Sequence, residues 1–234
     1  MIGFGNLGRK RELGIVYKDD VPLVFIDPTS EDFFENVLGY VTESKDVQAF
    51  IEAIKEVKEE GVKPFWKPIY DPSLDGKKVV FKAGNIPAVR YSYNFWKQKA
   101  EEMSTTLGQK WSVGTEYQYY TFLVWLVNRL EKKGLTIKEA LNAIVLNSEE
   151  LGHYCNSKFA QNDFENTGKR EVCGVYDLAN TFKMLSCTNK PDVGFWMAGG
   201  FFKEYSCNNS LANLSYSHNV DFIYGSGVGW LVLS

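Results

Sequence analysis

Every long amphipathic pattern in this chain lies before residue 150, and that abrupt loss of helical periodicity constrains the fold more than any other feature. The clearest pattern runs from Ser44 to Glu60. Val47, Phe50, Ile51, Ile54 and Val57 recur at helical spacing, Glu52, Glu56, Lys58, Glu59 and Glu60 take the other face, and Gly61 stops the run. Two more helices are expected. Ser92 to Leu107 places Phe95, Trp96, Ala100 and Met103 on one side, and Thr115 to Lys133 places Tyr119, Phe122, Leu123, Leu126 and Leu130 on one side. Thr136 with Glu139 forms a capping box that opens a fourth helix, running to about Asn147. Between Gly61 and Gly84 the Pro and Gly punctuation predicts an irregular stretch with one short strand, Lys78 to Lys82. After Gly152 the chain is rich in Gly, Asn, Ser, Tyr and Phe with only short apolar pieces, which predicts loops held by short strands. The class is therefore α+β, with helices packed on short antiparallel strands and a long loop-rich carboxyl-terminal region. No repeat or linker divides residues 1–234, so a single domain is expected.

Composition removes several functions. With 44% apolar and 15% aromatic residues the chain can build a core without staples. A net charge of −3 argues against a nucleic-acid partner. The longest apolar run, Phe122 to Val127, is far shorter than the roughly 20 residues that span a bilayer, so no membrane insertion is expected. The amino terminus places Arg9, Lys10 and Arg11 after a few apolar residues and does not read as a secretory signal. Cytoplasmic residence, a virion and export by another route all stay open. Cys155, Cys173, Cys187 and Cys207 form no C-x-x-C pair, which argues against a zinc knuckle. His153 and Cys155 could share a metal, but the chain has only two histidines, and no metal or cofactor is expected. Free buried thiols or one disulfide fit the cysteine count. If a pair is bridged, Cys173 with Cys187 is the better candidate.

One segment is unusual. The 25 residues from Tyr205 to Gly229 contain no Lys, Glu, Gln, Met or Trp, types that total 54 of 234 in the chain. About six would be expected, and independent draws would give none on the order of once in several hundred. These five types share one property: no codon ending in a pyrimidine encodes them. Such a set results when AAC-type asparagine codons are randomised at their adenines. Tyr, Ser, Gly and Asn fill 15 of the 25 positions. These types dominate antibody paratopes, because Tyr gives large contact area with few rotors to freeze and the small polar residues give adaptable hydrogen bonds. The alternative is a surface loop that is polar for conformational reasons and binds nothing.

Short stretches taken in order resemble the formylglycine-generating-enzyme branch of the C-type lectin fold. Val41-Thr42-Glu43 followed by Val47, Ala49 and Phe50 is similar to its early helix entry, and Pro87-Ala88-Val89-Arg90-Tyr91-Ser92 to the approach to its second helix. Trp111-Ser112-Val113-Gly114-Thr115-Glu116-Tyr117-Gln118-Tyr119 resembles "RLPTEAEWEY", and Gly174-Val175-Tyr176-Asp177-Leu178-Ala179-Asn180 resembles "GlyDmaGN". Gly199-Gly200 stands where the family has "RGGsW", and Val228-Gly229-Trp230-Leu231 where it has "iGFRlv". The catalytic members need a cysteine pair near the carboxyl end, and this chain offers only Cys207 there. Leu231 replaces the arginine of "GFR", and two histidines cannot form the triad of the related sulfoxide synthases.

The layout of a glycine pair, a polar and aromatic stretch and a terminal Val-Gly-Trp resembles the variable proteins of diversity-generating retroelements. That resemblance implies a non-enzymatic binding protein, with 199–230 as the diversified region recognising a macromolecular, cell-surface or viral target. It makes Gly199, Gly200, Leu211, Leu214, Val228, Gly229 and Trp230 scaffold. The displayed candidates are Phe201, Phe202, Tyr205, Ser206, Asn208, Asn209, Ser210, Tyr216, Ser217, His218, Asn219, Asp221, Phe222, Tyr224 and Ser226. Phe201 and Phe202 could equally face the core. The competing reading is a metal-thiolate oxidase of the parent family, for which Cys207, His218 and Asp221 are the local groups capable of nucleophilic or acid–base work. A third is a structural component of a particle or appendage, bound through the helical half.

Overall fold

The computed structural model describes residues 14–146, 171–176, 178, 181–189, 194–199, 211–212, 214–223 and 227–234. The first element is a hairpin of β1 (Ile15–Lys18) and β2 (Val21–Ile26). Its two-residue turn, Asp19-Asp20, takes φ of 47° and 65°, the primed geometry that matches strand twist. After the short helix α1 (Glu35–Leu38) comes α2 (Lys45–Glu60), where the Ser44 hydroxyl accepts from the Val47 amide and Gly61 closes the helix. Strands β3 (Phe65–Pro68), β4 (Ser73–Asp75) and β5 (Lys78–Val80) precede α3 (Tyr93–Leu107), capped by Ser92. Then come β6 (Trp111–Val113) and α4 (Glu116–Lys132). A reciprocal capping box between Thr115 and Gln118 starts α4. The Thr136–Glu139 box starts α5 (Ile137–Leu141), which widens into a π-helical turn at Asn142–Leu146. The remaining strands are β7 (Glu171–Val172), β8 (Val175–Tyr176), β9 (Phe182–Ser186), β10 (Phe195–Ala198), β11 (Leu214–Ser217), β12 (Gly227–Gly229) and β13 (Leu231–Leu233).

Two sheets organise the described residues. The first runs β1-β2-β3-β13-β6 with antiparallel neighbours, and the second runs β11-β10-β9-β12, where β12 alone lies parallel to its neighbour. Strand alternation gives the first sheet two covered faces. Val24, Ile26 and Val232 enter the cluster formed with α2 and α4, while Leu23, Leu231 and Leu233 enter the one formed with Tyr93, Trp96 and Met103 of α3. The chain is thus mixed α+β with small, mainly antiparallel sheets.

Trp230 joins the two sheets. Its amide donates to the Met184 carbonyl in β9 at 3.1 Å, and its carbonyl accepts from the Gly114 amide, just after β6, at 2.8 Å. Gly114 in turn accepts from the Ser186 amide at 2.9 Å. The indole packs against Phe65, Tyr119 and Phe122, with ring centroids 5.4–6.1 Å apart. Only glycine fits on either side of this joint: a Cβ on Gly114 would stand 2.4 Å from the Trp230 ring, and one on Gly229 would stand 2.5 Å from Trp96.

A buried charged cluster lies between the sheets. Lys183 of β9 donates to both Asp71 carboxylate oxygens at 2.7 Å, and the Thr181 hydroxyl donates to Asp71 at 2.9 Å. Lys67 of β3 donates to the Pro68 carbonyl, and its ammonium lies 6.0 Å from the Trp230 ring centroid. Burial pushes the Lys67 ammonium down to about 7; Asp71 opposes that shift and Lys183 adds to it.

The three long helices stand where periodicity predicts them, and the fourth, expected to run to about Asn147, is five α-helical residues followed by a π-helical turn that reaches Leu146. One expectation needs correction. The stretch between Gly61 and Gly84, read as irregular with one strand, holds β3, β4 and β5; β3 is hidden because prolines flank and end it. The β1–β2 hairpin was not anticipated, because Asp-Asp is an uncommon primed turn. Of the two readings left open for the cysteines, free thiols or one disulfide, this pair takes the first: Cys173 and Cys187 are not bridged. Both are buried free thiols, Cys173 at the β7–β8 turn and Cys187 beyond the end of β9 in another sheet.

Two measurements check this frame. Gly229→Ala should lower unfolding free energy by about 1–3 kcal/mol in urea, the usual cost of overpacking, because backbone and Trp96 must move apart. The lowered pKa of Lys67 makes the unfolded chain bind more protons than the folded one between pH 7 and 10.5, so stability should rise across that window. Lys67→Met should flatten that rise in a pH series of melting temperatures.

Candidate functional site

The candidate face is built outward from α4 and α3. Tyr119 on α4 is fully buried, and its hydroxyl donates to the Leu211 carbonyl at 2.9 Å. Burial raises its phenol pKa well above the usual range, so it stays a donor. Tyr120 reaches the Ala212 carbonyl at 3.5 Å, and the Leu211 amide donates to Ile144 in the π-helical turn at 3.1 Å. Gly199, at φ +78°, lies in the same place: a Cβ there would stand 3.7 Å from both the Tyr119 hydroxyl and Leu211. The two described positions that flank residues 200–210 therefore meet at one buried phenol.

β11 continues from this anchor along β10 and pairs Tyr216 with Trp196 and Ser217 with Phe195. The Tyr216 ring meets Trp196 edge-on at 5.0 Å and the His218 ring at 4.7 Å. Gly194 makes room for it, since a Cβ there would fall 2.3 Å from the Tyr216 hydroxyl. Beyond β11 the chain turns across the start of α3. The Asn94 amide donates to the Val220 carbonyl at 3.2 Å, and its side-chain amide donates to the Asp221 carboxylate at 2.7 Å. The turn is closed internally by the Asn219 amide on Ser217 Oγ, the Asp221 amide on Asn219 Oδ1 and the Phe222 amide on the Asn219 carbonyl. On this fixed backbone Ser215, His218, Asn219, Asp221, Phe222 and Ile223 are exposed, and the last two present apolar side chains that are 52% and 61% accessible.

The sequence-predicted residues divide accordingly. His218, Asn219 and Phe222 are displayed. Tyr216 and Ser217 are half-buried, Tyr216 serving the aromatic row and Ser217 the turn. Asp221 is exposed but tied to Asn94, so it shapes the turn as well as facing solvent. Phe201, Phe202, Tyr205, Ser206, Asn208, Asn209, Ser210, Tyr224 and Ser226 lie outside the described residues, as do Gly200, Cys207, His153 and Cys155. The expected scaffold residues Gly199, Leu211, Val228, Gly229 and Trp230 are buried, and Leu214 is half-buried against the core. Asn94, Trp196 and Ile223 were missed. Ile223 sits inside the unusual segment and only its apolar character hid it, whereas nothing near Asn94 in sequence points to a loop 127 residues away.

The glutamate of the Thr115-Glu116 motif is structural. Buried Glu116 accepts from the Thr188 amide at 2.9 and 3.0 Å and from its hydroxyl at 2.8 Å, clamping the end of β9 to the start of α4.

This architecture defines the class only as far as its fold, a mixed α+β frame with a surface-exposed carboxyl-terminal turn. PvdO from Pseudomonas aeruginosa is similar in fold, with a TM-score of 0.51 at 12% identity, over 94% of this chain and 97% of that one. At that identity the likeness extends to the fold alone. CarF aligns at a TM-score of 0.47 and 11% identity, over 74% of this chain and 87% of that one. Neither a protein-family model nor a curated protein sequence matches the chain.

The anchors are separable from the display. Asn94→Ala should speed amide hydrogen exchange at 217–223 while leaving α4 protected. Tyr119→Phe should cost about 1 kcal/mol of stability, the usual value of one hydrogen bond, and loosen the amides next to Leu211.

Proposed function

We propose that the chain is a binding protein of the diversity-generating retroelement type. In this reading a C-type lectin-like scaffold displays exchangeable side chains toward a macromolecular target and performs no chemistry. One observation carries it: in the described part of the segment that lacks Lys, Glu, Gln, Met and Trp, the backbone is held by residues outside it, Tyr119, Tyr120, Ile144 and Asn94. Side chains such as His218, Phe222 and Ile223 then project from a turn whose shape depends little on them, while Ser217 and Asn219 help to close it.

The physical logic is that of a preorganised paratope. A turn already ordered by main-chain bonds loses little entropy on binding, so exposed aromatic and aliphatic groups can act as anchors. The polar neighbours supply adaptable hydrogen bonds. His218 packs on Tyr216 and Asp221 is held by Asn94, an arrangement that suits presentation rather than acid–base work.

The test is sequencing of this gene across a population. Substitutions should concentrate in codons for 199–230 whose template counterpart contains adenine, and a near-copy of that segment should lie beside a reverse transcriptase gene. Variation spread evenly along the gene would overturn the proposal.

A further inference from the structure

A second site can be read on the α3 side of the first sheet, toward the other end of α3 from the carboxyl-terminal turn. The β1–β2 turn, the β4–β5 hairpin and the outer side of α3 enclose a cleft of about 350 Å³. That volume lies at the low end of small-molecule sites. Its floor is apolar: Val21, Val79, Phe81 and Met103 face it while each is otherwise packed in the α3 cluster. The floor is braced from below, since Phe81 stacks on Trp111 with rings 6.0 Å apart and 13° from parallel. Its two walls are tied together by Gln109, which donates to Asp19 at 2.6 Å.

The rim carries charges of both signs, with lysine in slight excess. Four lysines, Lys77, Lys78, Lys82 and Lys99, line the cleft against three carboxylates. Two of those carboxylates are engaged, Glu102 by Lys99 at 2.6 Å and Asp19 by Gln109. Lys77 and Lys78, adjacent on the hairpin and exposed, have no ion pair among the described residues. An apolar floor beneath a cationic lip fits a small molecule with an apolar body and one anionic head. We propose that this cleft binds a medium-chain carboxylate, with its chain on Phe81 and Met103 and its head at Lys77 and Lys78.

The experiment titrates the full chain with decanoate, using decylamine and decanol as charge controls, by calorimetry at low ionic strength. Decanoate should bind at least tenfold more tightly than decylamine. Met103→Trp, which fills the floor, should weaken decanoate at least tenfold. Lys77→Glu/Lys78→Glu should weaken decanoate at least fivefold while leaving decanol unchanged. Thermal melts of both variants confirm that they fold; if Met103→Trp does not, Thr106→Trp at the rim replaces it with the same expected loss. No decanoate binding at millimolar concentration, equal affinity for decanoate and decylamine, or unchanged decanoate affinity in the folded variants would overturn the assignment.

Discussion

The packing of Trp230 between the two sheets is the interaction on which the rest of the structure depends. A single residue passes the chain from β12 to β13, gives its amide to one sheet and its carbonyl to the other, and fills the space among Phe65, Tyr119 and Phe122. Its position accounts for the flanking sequence. Gly229 has no side chain because Trp96 lies against it, and Gly114 has none because the indole does. Tyr119, one of the rings beside Trp230, is also the hydroxyl that holds Leu211. The same cluster thus closes the core and fixes where the carboxyl-terminal segment begins its path over the surface.

Core closure and solvent exposure consequently fall to different parts of the carboxyl-terminal region. The residues that close the core, Leu211, Val228, Trp230 and Leu231, are buried. Between them the described side chains at 215, 218, 219 and 221–223 are exposed, and most of the bonds that order the backbone come from residues outside the segment or from its own main chain. Exposed side chains away from caps, cores and strained backbone usually alter stability by no more than about 0.5 kcal/mol. A surface of that kind can change its chemistry without endangering its support.

Much of the frame was legible in sequence because helices with one apolar face announce themselves. Val47, Phe50, Ile51, Ile54 and Val57 predict α2 within one residue, and Ser92, Thr115 and Thr136 mark the starts of three others. Strands of three or four residues carry no such period, so nothing in the pattern separates β3 from irregular chain or marks the β1–β2 hairpin. The site divides in the same way. Composition alone marks the unusual segment, and His218, Asn219 and Phe222 within it are displayed. What holds them is not marked, because Asn94 and Tyr119 act across long sequence separations through single hydrogen bonds. Cys173 and Cys187 show the limit from the other side: spacing allowed either a bridge or free thiols, and both are buried free thiols.

The most direct measurement is saturation mutagenesis of residues 211–230, scored for folding by resistance to protease. Positions 215, 218, 222 and 223 should accept most amino acids, while 211, 228, 229 and 230 should accept few. Intolerance spread evenly across these positions would contradict the account, because the displayed side chains would then be part of what folds the chain.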